Sequence, residues 1–387
     1  MKKLHFLFLF SLILPAVAWS QATTTVPPAH PSLFKGTRPL GMGNAFLAMP
    51  GSDENAPFYN PAAINDYEKF HMRLVSPTVD FTTASIALVK DVLDLVDDID
   101  AESDTSSQIN TFQEFVNAHT GEFHAIDVRL PILMAMSKWF AAGILADSRT
   151  TISFRNRAFS NFELLSRSDV GGFVGTAYNF KDLIGIEQNV QAGVNVKVLH
   201  RVSVDQVLTT DDIIATTDFA DALPIERATG VGVDLGLKGE IPTFELQALE
   251  ILKPTAAFTW QDIGNTKFTA PVPDTEQSIS LGLGVHPSFH AMGDREWKNH
   301  FEVDLLEINQ PLSFSKKFYV GYELEAPRFL ILKPSIRVGA GQLYFATGAT
   351  FDLRFLKLDV AYYGEEVGRF TRQGKSNRLA AGLSIGF

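Results

Sequence analysis

The sequence contains no cysteine. Disulfides, thiolate metal sites and cysteine nucleophiles are therefore excluded, and so is a lipoprotein anchor, which needs a cysteine at its cleavage point. Positive charge is also short, with 33 Lys+Arg against 44 Asp+Glu and a formal net charge of −11. That balance lacks the basic footprint of a nucleic-acid partner, so none is expected. Beyond the N-terminus no apolar run reaches the length of a membrane-spanning helix, even though mean hydropathy is +0.06. Chemistry-bearing motifs are missing too. GMGNA lacks the third glycine and the strand-to-helix setting of a dinucleotide fingerprint, and there is no P-loop. No serine elbow singles out a Ser–His pair. DIDAESD (Asp98 to Asp104) spaces its acids like a calcium loop but lacks the glycine and terminal glutamate. It reads as a solvated acidic loop, with loose divalent ions at most. His286 and His290 are spaced like metal ligands, but on a predicted turn and without a third ligand. No catalytic residue, metal or cofactor is expected.

What is present begins with a targeting signal. Lys2 and Lys3 precede the apolar core LHFLFLFSLIL, then Pro15 and the small residues Ala16 and Ala18. Cleavage after Ser20 or after Ala18 satisfies the small-x-small rule. Residues 1–20 are read as a signal peptide of a bacterial envelope protein, and the mature chain leaves the cytoplasm. Residues 21–66 follow as a Pro-containing arm and a Gly/Pro/Asn-rich segment. That segment is too broken for a long helix or a central strand, and suits a compact plug held by its surroundings.

From residue 67 to 387 the pattern is alternation. VQAGVNVKVLHRV, TGVGVDLGLKG, SISLGLGV, FEVDLLE, KFYVGYELE, LKLDVAYY and the final LAAGLSIGF each put apolar residues on one face. The other face mixes charges with many small residues. A soluble sandwich would carry larger polar residues there; a crowded, wet interior wants this mixture. The expected fold is therefore all-β, a transmembrane antiparallel β-barrel with grease outside and polarity inside. Fourteen strands are predicted, at 68–77, 122–136, 139–155, 164–180, 189–204, 229–239, 251–262, 276–287, 298–308, 315–325, 329–339, 342–352, 355–364 and 378–387. Pro131 inside the second marks a kink or bulge, or a misplaced limit. With both barrel ends facing the periplasm, the long odd-numbered connections, led by 78–121 and 205–228, face outside. Three connections resist that scheme: 240–250 and 288–297 are long for turns, and 340–341 is short for an outside loop. ASIALVKDVLDLVDDI repeats Ile86, Val89, Leu93 and Val96 at helical spacing, and TTDDIIATTDFADAL is also helix-like. Each is read first as a rim helix, and alternatively as an apolar shelf for an arriving ligand.

The stretch RPLGMGNAFLAMPGSDENAPFYNPAAI resembles the N-terminal hatch of FadL-type outer-membrane transporters. Leu40-Gly41-Met42-Gly43 matches the Gly-rich part, with Ala45 as the small residue after it. Ser52-Asp53-Glu54-Asn55-Ala56 matches the acidic part, and Asn60-Pro61-Ala62 is the Asn-Pro-Ala element. The resemblance implies a fourteen-stranded barrel with a plug in its lumen, passive transport of long-chain fatty acids or other hydrophobic compounds, and no bond chemistry. It implies the outer membrane as location, with its lipids and its assembly machinery as partners. Lysine or arginine would meet a ligand carboxylate, and by parity Lys197, Arg201, Lys333 and Arg337 point inward. The same hatch motif occurs in a wider superfamily that includes the type IX secretion shuttle barrels resembling PorV. Docking of secreted proteins is the alternative it implies.

Overall fold

The computed structural model describes residues 34–387 apart from 51–52, 103, 156–160, 185–187, 210–224, 243–245, 270–271 and 368–373. The expected signal peptide lies outside the described residues. So does the helix-like TTDDIIATTDFADAL, except for its first residue.

Sixteen strand segments form one antiparallel sheet, and two pairs of segments are single strands interrupted at a proline, so the barrel has fourteen strands. β1 runs over His71–Val75 and resumes at Thr78–Thr82, across Pro77. It is followed by β2 (Phe123–Met136), β3 (Phe140–Arg155), β4 (Asn161–Asn179), β5 (Val190–Thr209), β6 (Glu226–Glu240) and β7 (Thr255–Gln261). β8 runs over Ser278–Val285 and resumes at Ser288–Ala291, across Pro287. The remainder are β9 (Arg295–Leu305), β10 (Phe318–Glu325), β11 (Lys333–Gly341), β12 (Tyr344–Asp352), β13 (Leu356–Glu366) and β14 (Lys375–Gly386). β14 pairs with both halves of β1 and closes the ring, so the sheet has no free edge in lipid.

Proline explains both interruptions, because it has no N–H to give the ladder. Its carbonyl still accepts: Pro77 O takes Leu383 N at 2.9 Å, and Pro287 O takes Asn299 N at 2.9 Å. Register is unchanged across each break, so parity is kept. The break also misleads the eye in the sequence. β8 extends to Ala291, which replaces the expected long connection 288–297 by a three-residue turn with Met292, Gly293 and Asp294 all at positive φ. β1 likewise extends to Thr82, past the expected limit of 77. The connection after β6 remains long and contains a short helix, Gln247–Leu252. The 340–341 connection is short as read, with Gln342 and Leu343 as its two turn residues.

The barrel is inverted relative to a soluble protein. Along β14, Leu379, Leu383 and Ile385 are exposed on the outside, while Arg378, Ala380 and Ser384 are buried inside. The largest fully buried side chains include Arg201, Arg337 and Arg378. Charges inside and aliphatics outside suit a wall that faces lipid. Between β1 and β2 stand two helices, α3 (Thr83–Ala101) and α4 (Thr105–Ala118). The alternation-free, amphipathic α3 was legible in the sequence; α4 was not. Asp104 caps α4, accepting Ser107 N at 2.9 Å, so the acidic run has an end-capping role there.

Candidate functional site

The lumen is filled by the plug, residues 34–66. Three short elements build it: the helices α1 (Thr37–Gly41) and α2 (Ala56–Tyr59), which precede the rim helices in the chain, and the 3-10 turn Pro61–Asp66. The hatch motif explains its own geometry. Gly43 sits at φ +67, against the Ala340 backbone, where a side chain would both strain and collide. Gly41 passes within a few ångströms of Gly348, so the plug and the wall meet backbone to backbone. Asn60 caps the 3-10 turn by accepting Ala62 N at 3.0 Å. Its amide donates to Leu47 O at 3.1 Å and to Leu237 O in β6 at 3.2 Å, tying plug to plug and plug to wall. Pro61 starts that turn, and Ala62 is fully buried. A side chain at Gly236 would overlap Asn60, so the wall has a matching gap.

The plug is held in two different ways. Toward β10–β13 it is held by charge. Arg38 pairs with Asp53 at 2.9 Å and reaches across to Glu323 at 2.5 Å and Glu325 at 2.8 Å. Lys357 on β13 pairs with Glu54 at 2.5 Å and with Asp53 at 3.6 Å. Burial alone would raise the Asp53 carboxyl, but Lys357 and Arg38 more than offset it and hold it well below the usual carboxylate range. The acidic part of the motif is thus the plug's electrostatic anchor. Nearby, Asp304 on β9 accepts the backbone N–H of Phe46 at 2.6 Å and of Leu47 at 3.0 Å. These satisfy plug amides that no regular element would pair.

Toward β2–β5 the plug is held by apolar packing. Phe34, Phe58, Ile64 and Tyr67 meet Met134, Met136, Leu145, Phe173 and Leu199 from the wall, all buried. Phe58 lies edge-on to Phe173 at 4.8 Å, and Tyr67 Oη approaches Met136 Sδ at 3.0 Å. Inward-facing apolar residues in a membrane barrel run against its parity rule, which makes this patch the conspicuous feature of the lumen. The wall is irregular at the same place. Leu133 sits at φ 51, and β2 spends one extra residue between Ile132 and Ala135 against β3. This is a β-bulge two residues after Pro131, which answers what that proline marks. β3 pairs with β4 along its full length without a shift. The wall's kink therefore belongs to β2.

A second segment also enters from the end of the barrel opposite residue 71. The connection 262–277 pairs inward, with Phe268 bridging Gly230 and Phe268 and Val272 joining the apolar cluster. Arg201 stacks on Phe268 at 4.0 Å and donates to Pro273 O at 2.6 Å.

The four predicted carboxylate contacts all face the lumen side, but all four already have protein partners. Lys197 Nζ lies 2.9 Å from both Asp234 and Asp262. Arg201 pairs with Asp169 at 2.7 Å and is fully buried. Arg337 pairs with Glu323 at 2.6 Å. Lys333 pairs with Glu325 at 2.6 Å, but its side chain keeps 38% of its exposure. It lines a polar cavity of about 660 Å³ at the end of the barrel where β1 begins, together with Arg38, Asp53, Arg73, His286 and His300. His286 and His290 do not meet: His290 is exposed, and His286 Nδ1 instead lies 3.1 Å from His300 Nδ1.

No protein-family model matches the chain, and neither does any curated protein. Among solved structures, the chain is similar to a TodX monoaromatic hydrocarbon channel with its S2 and S3 segments altered, at 11% identity and TM-score 0.47, covering 91% of this chain and 98% of that one. It is similar to the Pseudomonas putida toluene transporter TodX at 10% identity and TM-score 0.46, covering 91% and 97%. The Ralstonia pickettii toluene transporter TbuX follows at 11% identity and TM-score 0.43, with coverage of 91% and 97%. At these values the likeness says nothing about cargo.

Proposed function

We propose that this chain is a passive conduit for hydrophobic small molecules in a bacterial outer membrane, with the plug as its gate. The observation that carries the reading is the buried apolar face on β2–β5. A plugged polar barrel has no structural need of it, since charge pairs anchor the plug elsewhere. Phe34, Phe58 and Ile64 occupy the place a hydrophobic ligand would take beside Met134 and Phe173. The ligand would exchange with plug side chains of its own polarity, so no charge would be stranded. The bulge of β2 at Leu133 adjoins Met134 of this apolar face. Long-chain fatty acids and aromatic hydrocarbons are both candidate cargo. For a carboxylate cargo, Lys333 is the best placed of the four cations, because its side chain is the exposed one and opens on the cavity beside its partner Glu325, whereas Lys197, Arg201 and Arg337 are buried with theirs.

A second reading is docking of an exported protein at the outer rim. The observation in its favour is α3, which exposes Ile86 and Leu93 at 61% and 62%.

Uptake of a fluorescent long-chain fatty acid, and of a small aromatic panel, by liposomes holding the refolded protein separates the two. Protein-dependent uptake that changes in Asn60→Ala and Pro61→Ala supports the conduit. Absence of uptake by a folded barrel moves the assignment to docking.

A further inference from the structure

The run His119-Thr120-Gly121-Glu122-Phe123-His124 is unremarkable as sequence, and nothing in its spacing shows that its polar groups meet. The fold gives them one focus. His119 ends α4 as its C-cap, Gly121 turns the chain at φ +93, and His124 is the second residue of β2. This reversal brings both imidazoles onto one carboxylate oxygen. His119 Nδ1 lies 2.9 Å from Glu122 Oε2, and His124 Nε2 lies 3.1 Å from the same atom. One donor atom from each of the three residues falls within 4.8 Å of the others, compact enough for one ion to reach all three.

We infer that His119, Glu122 and His124 form a binding site for a first-row divalent transition metal at the rim of the barrel. Two imidazoles and one carboxylate suit Zn²⁺, Ni²⁺ or Cu²⁺ better than Ca²⁺ or Mg²⁺, which take oxygen ligands. The surroundings fit a ligand role. His119 turns its other nitrogen, Nε2, toward Asp91 of α3 at 3.6 Å, the carboxylate–histidine arrangement that orients a metal ligand. Phe115 and Phe154 pack on the rings and fix their planes, with Phe115 at 4.6 Å from His119 and Phe154 at 5.9 Å from His124. Glu122 is the exposed member and leaves the fourth position open to water. With Asp91 drawn in behind His119, a bound ion would fasten α3 and α4 to the start of β2. This proposal departs from the expectation of no metal, which weighed the absent cysteines, the acidic run Asp98 to Asp104 and the pair His286 and His290.

The test is Co²⁺ binding to the full mature chain, without a histidine tag, in detergent. The visible absorption of the tetrahedral ion is the readout and Zn²⁺ the competitor. The expected result is one equivalent of Co²⁺, displaced by Zn²⁺, with affinity falling by at least about tenfold in Glu122→Gln and in His124→Ala, and by about tenfold in Asp91→Asn. His300→Ala, which touches the other His/Glu group, is expected to bind like wild type. Glu122 is exposed enough that its substitution leaves folding intact even if His124→Ala does not. Equal binding by wild type and Glu122→Gln would overturn the site, and so would loss of binding in His300→Ala.

Discussion

The two flanks of the plug are built from different forces. On the β10–β13 side, Arg38, Asp53, Glu54 and Lys357 lock plug to wall through buried ion pairs. On the β2–β5 side, Phe34, Phe58 and Ile64 pack against Met134 and Phe173, with the polar ties mainly at the end of the plug, where Asn65 donates to Lys138 O at 3.0 Å and Gln191 to Asp66 at 2.9 Å. Separating a buried ion pair leaves two uncompensated charges and is strongly unfavourable. Separating an apolar contact is tolerable if another apolar surface replaces it. On the proposed conduit reading, the difference assigns the two roles: the charged side would be the hinge and the apolar side the gate.

Substitutions sharpen this contrast, and the largest effect belongs to the charged flank. Arg38→Ala removes the one guanidinium that Glu323, Glu325 and Asp53 share, leaves them only Arg337, Lys333 and Lys357, and should weaken plug docking by up to about 3–5 kcal/mol. Hydrogen exchange of residues 34–66 in the folded barrel would show it as a general loss of protection. Met134→Ala on the apolar flank should cost less, roughly 2–3 kcal/mol, because the lumen can partly refill. Its exchange should rise around Phe58 and Ile64 only, and its uptake of apolar probes should increase. Asn60→Ala leaves Leu47 O and Leu237 O without their donor and removes a cap, which costs about 1–2 kcal/mol. Leu93→Ser, on exposed α3, should stay within about 0.5 kcal/mol in denaturant unfolding. An Arg38→Ala plug as protected as wild type would break the comparison.

The barrel was legible because lipid imposes a strict rule on every strand: backbone paired, one face apolar. Each of the fourteen expected strands overlaps an observed one, and the limits failed mainly where Pro77 and Pro287 look like ends. A missing N–H interrupts the ladder for one residue without ending the strand. The apolar side of the lumen was harder to see. Met134, Phe173 and Leu199 break the inward-polar pattern singly, on three different strands, and only register brings them together. The bulge at Leu133 also shifts parity locally, so Met134 reads as a wall residue of ambiguous face. Parity did place Lys197, Arg201 and Arg337 inside, but their carboxylate partners Asp234, Asp169 and Glu323 lie on other strands or far along the chain. Sequence alone could not show that those charges were already matched. His119, Glu122 and His124 were within six residues of one another, yet their meeting depends on a tight reversal at Gly121 that no periodicity announces.

The most direct test of the central claim uses the missing cysteines, because any engineered pair is then the only one present. Ile64→Cys with Gly175→Cys would fasten the plug to β4 on the apolar flank, where a side chain added at Gly175 meets the tip of the Ile64 side chain, 2.7 Å from its Cδ1. Thr37→Cys with Gly382→Cys would fasten it to β14 beside the charged flank, opposite Asp359, where a side chain added at Gly382 comes 3.0 Å from Thr37 Oγ1 and no closer than 3.7 Å to backbone. Uptake of an apolar fluorescent probe into liposomes is then measured for each protein, oxidised and reduced. The account predicts that oxidation stops uptake in the first protein, that reduction restores it, and that the second conducts in both states. Uptake that survives the clamp to β4 but is blocked by the clamp to β14 would contradict it.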